Sequence, residues 1–115
     1  MELSELEKHQ VQKLALQVCN ARNHNLPVEI GKADFAILDN GVEFSEAHFK
    51  LDSTQCDYRS LVAKIIRLEE SWQLMLAQRD KHQVFERWYS YPESVSNQLH
   101  ALMKEVEQDP NSLIW

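Results

Sequence analysis

Apolar residues change their period along the chain, and the period predicts the elements. From Ser4 to about Asn23, Val11, Leu14, Ala15 and Val18 recur at helical spacing, with Leu3 and Ala21 on the same side and Gln10, Lys13, Gln17 and Asn20 elsewhere. This is the pattern of a helix with one buried stripe. Ser4 followed three residues later by Glu7 fits a capping box, in which each side chain satisfies a backbone donor the helix leaves orphaned. Asn23-His24-Asn25-Leu26-Pro27 ends the helix, because proline forces the residue before it out of helical conformation.

The pattern then becomes extended. After a short Val28-Glu29-Ile30 run, Phe35 to Leu38 and Val42 to Glu46 flank Asn40-Gly41, a strong hairpin signal because a type I′ turn needs positive φ at both central positions. A turn at Asn40-Gly41 sets Ile37 against Phe44 and Phe35 against Glu46; a three-residue turn sets Asp34 against Glu46. With the turn at Asn40-Gly41, Phe35, Ile37, Val42 and Phe44 form one core-facing set. Leu61, Ala63 and Ile65 alternate with Val62, Lys64 and Ile66, and Glu69-Glu70 turns the chain so that Ile65 opposes Leu74. Val84 to Tyr89 is a fifth strand. Pro92 closes the sheet region, and from Ser94 onward Val95, Leu99, Leu102, Met103 and Val106 fall on one helical arc before Asp109-Pro110-Asn111.

The order helix, five strands, helix predicts one α+β domain over residues 1–115: a two-layer arrangement with an antiparallel sheet of about five strands and both helices over one face. The other face carries Lys64, Gln73, Met75 and Arg79, too little for a second core. The apolar tail Leu113-Ile114-Trp115 must dock on the body or on a partner.

Charge narrows the partners. The net charge is −6; residues 1–49 hold four Lys/Arg against eight Asp/Glu and residues 92–115 one against four, whereas residues 50–91 hold seven against six. Net acidity disfavours nucleic acid, whose binders usually present a basic face. Cys19 and Cys56 lack metal-ligand or redox spacing, and with no apparent secretory leader a reducing cytoplasm is expected. No apolar run is long enough to span a membrane.

Three groupings have chemical interest. Asp34, Glu43, Glu46 and Lys50 on the first hairpin, with His48 and with Lys64 on the next strand, are the candidates for a divalent-metal hydrolase or nuclease-like enzyme, since such sites set carboxylates and a lysine on adjacent strands to hold an ion and activate water. Solvated sheet charges explain the same residues. The five histidines show no HxH or HxxxH spacing, so no metal or other cofactor is implied. Arg79, Lys81, Arg87, Trp88, Tyr89 and Tyr91, with Lys64, form a basic and aromatic group that suits an anionic ligand, with Lys64, Arg79, Arg87 and Trp88 the binding candidates. Trp88 and Tyr89 have opposite parity on a strand, so one of them is expected in the core.

The run Val62-Ala63-Lys64, then Trp72-x-Leu74, Arg79, Tyr89-x-Tyr91-Pro92-Glu93, and a helix ending Glu105-Val106-Glu107-Gln108-Asp109-Pro110 resembles a bacterial family known only as domain of unknown function 3024. The N-terminal helix, Arg22-Asn23, Pro27 to Ile30 and the Phe35 to Phe44 hairpin extend the resemblance over nearly the whole chain, with departures at Val84 or Phe85 and at Ser112. The resemblance implies a small cytoplasmic bacterial protein and brings no catalytic residues. The incomplete second sheet face and the apolar terminus Leu113-Ile114-Trp115 give the expected function, a non-enzymatic protein-interaction domain that forms a homodimer or binds another protein, with the metal hydrolase and a binder of an anionic ligand or nucleic acid on the exposed sheet face as alternatives.

Overall fold

The structure, a computed structural model, describes residues 2–24, 32–49, 56–81, 84–109 and 114. Helix α1 (Glu5–Asn23) is followed by strands β1 (Lys32–Leu38), β2 (Gly41–Phe49), β3 (Cys56–Arg67), β4 (Trp72–Arg79) and β5 (Phe85–Ser96), and then by helix α2 (Leu99–Gln108). The strands form one antiparallel meander in chain order, and the expected α+β architecture is the one observed. The Val28-Glu29-Ile30 run lies outside the described residues.

The capping box at α1 is complete: the Glu7 N–H donates to Ser4 Oγ at 3.2 Å, and the Ser4 N–H donates to Glu7 Oε1 at 3.1 Å. The α1 stripe packs Val11, Ala15, Val18 and Cys19 into a core shared with Val42, Phe44, Ala63, Ile65, Leu74 and Leu76 from the sheet and Leu102, Met103 and Val106 from α2. Ala21, expected on that stripe, is exposed at its end. Ile114, only 3% exposed, closes the same core, so this residue of the apolar tail docks on its own chain. Asp109 makes that possible: it ends α2 in left-handed conformation, at φ 43°, and its Oδ1 accepts from the Ile114 N–H at 3.1 Å.

Three local readings need correction. The first hairpin turns at Asp39-Asn40, with Leu38 paired to Gly41, Ile37 to Val42 and Phe35 to Phe44. Neither turn residue has positive φ, so the turn is not type I′. Gly41 instead begins β2 so close to β3 that an added Cβ would overlap the Ile65 carbonyl oxygen; the glycine serves strand approach, not turn geometry. Phe35, Ile37, Val42 and Phe44 still share one face, but only Val42 and Phe44 are fully in the core: Phe35 is half-buried and Ile37, on the edge strand, is 37% exposed.

The second correction concerns β3. Phe44 pairs with Ala63 but Ser45 with Leu61, so Val62 is an extra residue, a β-bulge. It joins the core at 1% exposure, while Leu61, expected inside, is only half-buried. One inserted residue inverts the side-chain alternation beyond it. Third, β5 continues through Pro92 to Ser96, and Val95, expected on α2, is a strand residue 57% exposed. The strand tolerates proline because it lies at the sheet edge, where the register skips from Gln73 opposite Val95 to Met75 opposite Ser90.

Candidate functional site

The bulge at Val62 has a consequence for the sheet as a whole. β3 and β4 pair only from Arg67 opposite Trp72 to Ala63 opposite Leu76. Beyond that point β3 remains paired to β2 as far as Phe49 opposite Cys56, and β4 remains paired to β5 as far as Arg79 opposite Phe85. Among the described residues the sheet therefore forks into a β1–β2–β3 arm and a β4–β5 arm. The bulge supplies the bend, since an extra residue sharpens the local twist of its strand.

The β4–β5 arm carries the basic group. Arg79, Arg87, Gln78, Tyr89 and the Ala77 position line an open pocket of about 460 Å³. Gln78 and Arg87 are cross-strand partners, and Arg87 Nε donates to Gln78 Oε1 at 2.7 Å, which fixes the guanidinium and leaves its terminal N–H groups for other acceptors. No carboxylate appears in the described lining. At the tip, Asp80 Oδ1 accepts from the Val84 N–H at 3.0 Å while the Val84 carbonyl accepts from the Asp80 N–H at 2.9 Å. These bonds close the hairpin and set Arg79 and Arg87 on a held frame.

On the face that Arg79 shares with its cross-strand partner Phe85, opposite to Arg87 and Gln78, Lys64 Nζ stands 4.6 Å from the Trp88 ring centroid, and Phe85 packs on Trp88 at 5.2 Å with rings tilted by 56°. The lysine reaches across β4, where small Ala77 is the cross-strand partner of Trp88. Gln73 Nε2 donates to Ser90 Oγ at 2.9 Å on the same face. Neither Trp88 nor Tyr89 enters the core: Trp88 is half-buried outside it and Tyr89 is 39% exposed. Arg87, Tyr89 and Ser90 are exposed and Trp88 is half-buried, so parity there selects between two open faces rather than between core and solvent.

The carboxylates of the first hairpin are divided. Asp34 pairs with Ser45 and Glu46 with Ala33, and adjacent strand positions project to opposite faces, so the two acids do not share a face. Asp34 Oδ1 accepts the Phe35 N–H at 2.8 Å. Lys64 is the cross-strand partner of Glu43, and its ammonium is taken up with Trp88. The His48 side chain and Lys50 lie outside the described residues. Among the described residues, no three of His, Cys, Asp and Glu come together.

Asp34 instead belongs to a device at the sheet edge. Asn23, the last residue of α1, donates through Nδ2 to the Ala33 carbonyl at 2.9 Å and accepts the Ala33 N–H on Oδ1 at 2.7 Å. One amide side chain thus imitates a neighbouring strand, and Asp34 takes the next N–H along that edge. The β5 edge is interrupted by two irregularities, one containing Pro92 and one at Glu86. Both outer edges are blunted against pairing with another chain. No sequence pattern announced Asn23 in this role; a helix-ending asparagine reads as a turn former.

Two further polar features tie elements together. Arg67 Nε lies 3.4 Å from Glu7 Oε2, and its guanidinium carbon lies 5.1 Å from the Trp72 ring centroid, joining the start of α1 to the β3–β4 turn. The Ser4 backbone N–H, foremost, holds the Glu7 carboxyl below its ordinary value, with Ser4 Oγ and Arg67 adding to the effect. Burial, with the charge of Asp34 second, pushes the Cys19 thiol up to about 12, so this cysteine is an inert core residue.

A family model described as domain of unknown function (DUF3024) matches residues 3–115, and the chain therefore belongs to that family. No curated protein and no solved structure matches the chain. No helix among the described residues is long and apolar enough to cross a membrane.

Proposed function

We propose that this member of the DUF3024 family is a non-enzymatic binding domain whose partner is anionic and is held on the β4–β5 arm. The observation that carries the reading is the pocket at Arg79 and Arg87: two guanidinium groups and a tyrosine, one arginine fixed by Gln78, with no carboxylate in the described lining. In a chain of net charge −6, a pocket with two guanidinium groups and no described carboxylate is a local reversal of sign that favours an anion there. Guanidinium groups suit carboxylate and phosphate because their paired N–H groups match two oxygens at once. The division of Asp34 from Glu46 gives catalysis no comparable support.

Titration of the protein with citrate or pyrophosphate at low salt, followed by amide chemical shifts, tests the reading. The expected result is a coherent set of shifts at residues 77–79 and 87–89 that disappears in Arg87→Glu and weakens as sodium chloride is raised. Shifts spread over the whole surface, or unchanged in Arg87→Glu, would overturn it.

A homodimer joined face to face is the second reading. It rests on the cluster of Phe85 and Trp88 beside half-buried Met75 on the sheet face away from the helices. Light scattering at micromolar concentration should then return twice the 13.5 kDa chain mass, and Trp88→Ala should halve it.

A further inference from the structure

We infer that the fork between the two arms takes an extended acidic peptide segment as an added strand, paired to the free side of β4 and held through its carboxylates by Arg79 and Arg87. The inference rests on the anion-binding reading above and names the kind of partner.

Three observations support it. Beyond Leu76, no described strand pairs with β4 on its β3 side, although β4 keeps strand conformation through Arg79. A strand with one side unpaired is a template for another chain, because its N–H and C=O groups gain by exchanging water for an ordered ladder. The two outer edges of the sheet are blunted, at β1 by Asn23 and Asp34 and at β5 by the irregularities around Pro92 and Glu86. The inner edge at Ala77–Arg79 shows no such cap among the described residues. Finally, the residues flanking that edge choose the charge of the guest, since the pocket they line holds Arg79, Arg87, Gln78 and Tyr89 and no described acid.

The geometry favours a peptide over a nucleic acid. An added strand satisfies the backbone groups of β4 and places alternate side chains on each face of the arm, where Arg87 and Arg79, on adjacent-parity positions of β4–β5, can meet acids from either face. A phosphodiester backbone offers acceptors but no N–H donors for the carbonyls of the β4 edge.

The experiment uses an acidic octapeptide with glutamates at adjacent positions, so that both faces of the added strand carry carboxylates, and two backbone variants of it, N-methylated at every second amide in the two possible registers. Calorimetry on the full chain should show binding of the parent peptide, with at least a tenfold loss for one methylated register and for Arg79→Glu or Arg87→Glu. Circular dichroism confirms that each variant retains the fold, and Arg87→Lys, which keeps the charge, should retain part of the affinity. If both methylated peptides bind as the parent does while Arg87→Glu still abolishes binding, strand addition is overturned and the anion-binding reading stands. If binding is indifferent to Arg79 and Arg87, both fall. Tighter binding of a single-stranded oligonucleotide than of the parent peptide would also overturn the choice of a peptide guest.

Discussion

Replacing Gly41 with alanine would set a Cβ onto the Ile65 carbonyl oxygen and within 2.9 Å of Ile66 Cα, both of them backbone atoms with little freedom to retreat. The cost expected is about 2–4 kcal/mol of unfolding free energy, typical of severe overpacking, because β2 and β3 must separate where β2 begins against Ile65 and Ile66. Chemical denaturation measures it, and Asn40→Ala is the control: if the Asn-Gly pair mattered as a turn, both substitutions would cost similar amounts. Titratable residues carry a second expectation. Glu7 is held below its ordinary value, so its contribution to stability is complete above about pH 4.5 and is lost as pH falls through the folded value. Denaturation midpoints of Glu7→Gln should therefore lie below those of the parent at neutral pH and converge on them in acid. Cys19 behaves in the opposite sense: with its thiol pushed up to about 12, stability is complete below its ordinary 9.0 and declines as pH rises towards the folded value. In a Cys56→Ser background, iodoacetamide at pH 8 should label Cys19 only at the rate of unfolding; rapid labelling of the native protein would contradict its burial.

At the scale of elements, the caps decide how the sheet ends. Asn23→Ala removes both hydrogen bonds to the Ala33 backbone, which is expected to cost about 1–3 kcal/mol because a partly buried donor and acceptor lose their partner together. It should also make the protein self-associate on heating, since the β1 edge then offers unpaired groups to another chain. Asn23→Asp keeps the acceptor and loses the donor, so its cost should fall between; thioflavin fluorescence and the melting temperature read the two effects separately. Much of the element order was legible in the sequence. The Ser4–Glu7 box, the α1 stripe and the Ile65–Leu74 pairing are local patterns that each imply a single geometry. Gly41, Val62 and Val95 were misread for a common reason. Each depends on how a neighbouring strand approaches, and neither a bulge nor an edge strand that tolerates Pro92 changes the local composition enough to betray itself.

For the molecule as a whole, the fork divides what the core holds from what it does not. Both helices, Ile114 and the sheet as far as Ala33, Ala47 and Val62 enclose the buried residues, whereas beyond Leu76 β4 has β5 as its one described strand partner. The candidate site was only half legible: Arg79, Arg87, Trp88 and Lys64 stand out as residue types, but their division between the two faces of the arm, Arg87 on one and the other three on the other, follows from the register of β4 with β5. Amide hydrogen exchange should show the same division. Slow exchange is expected for Ile65 and Leu74, approaching the rate set by global unfolding, and exchange at least tenfold faster for Leu61, Gln78 and Arg87, whose opening needs only one arm to fray. A peptide strand seated in the fork would slow the β4 positions selectively and leave the central pairs unchanged, because those already exchange through global opening. Uniform protection from Cys56 to Arg67 would mean that the arms share the stability of the core, and the fork would then be too rigid an opening to admit a strand.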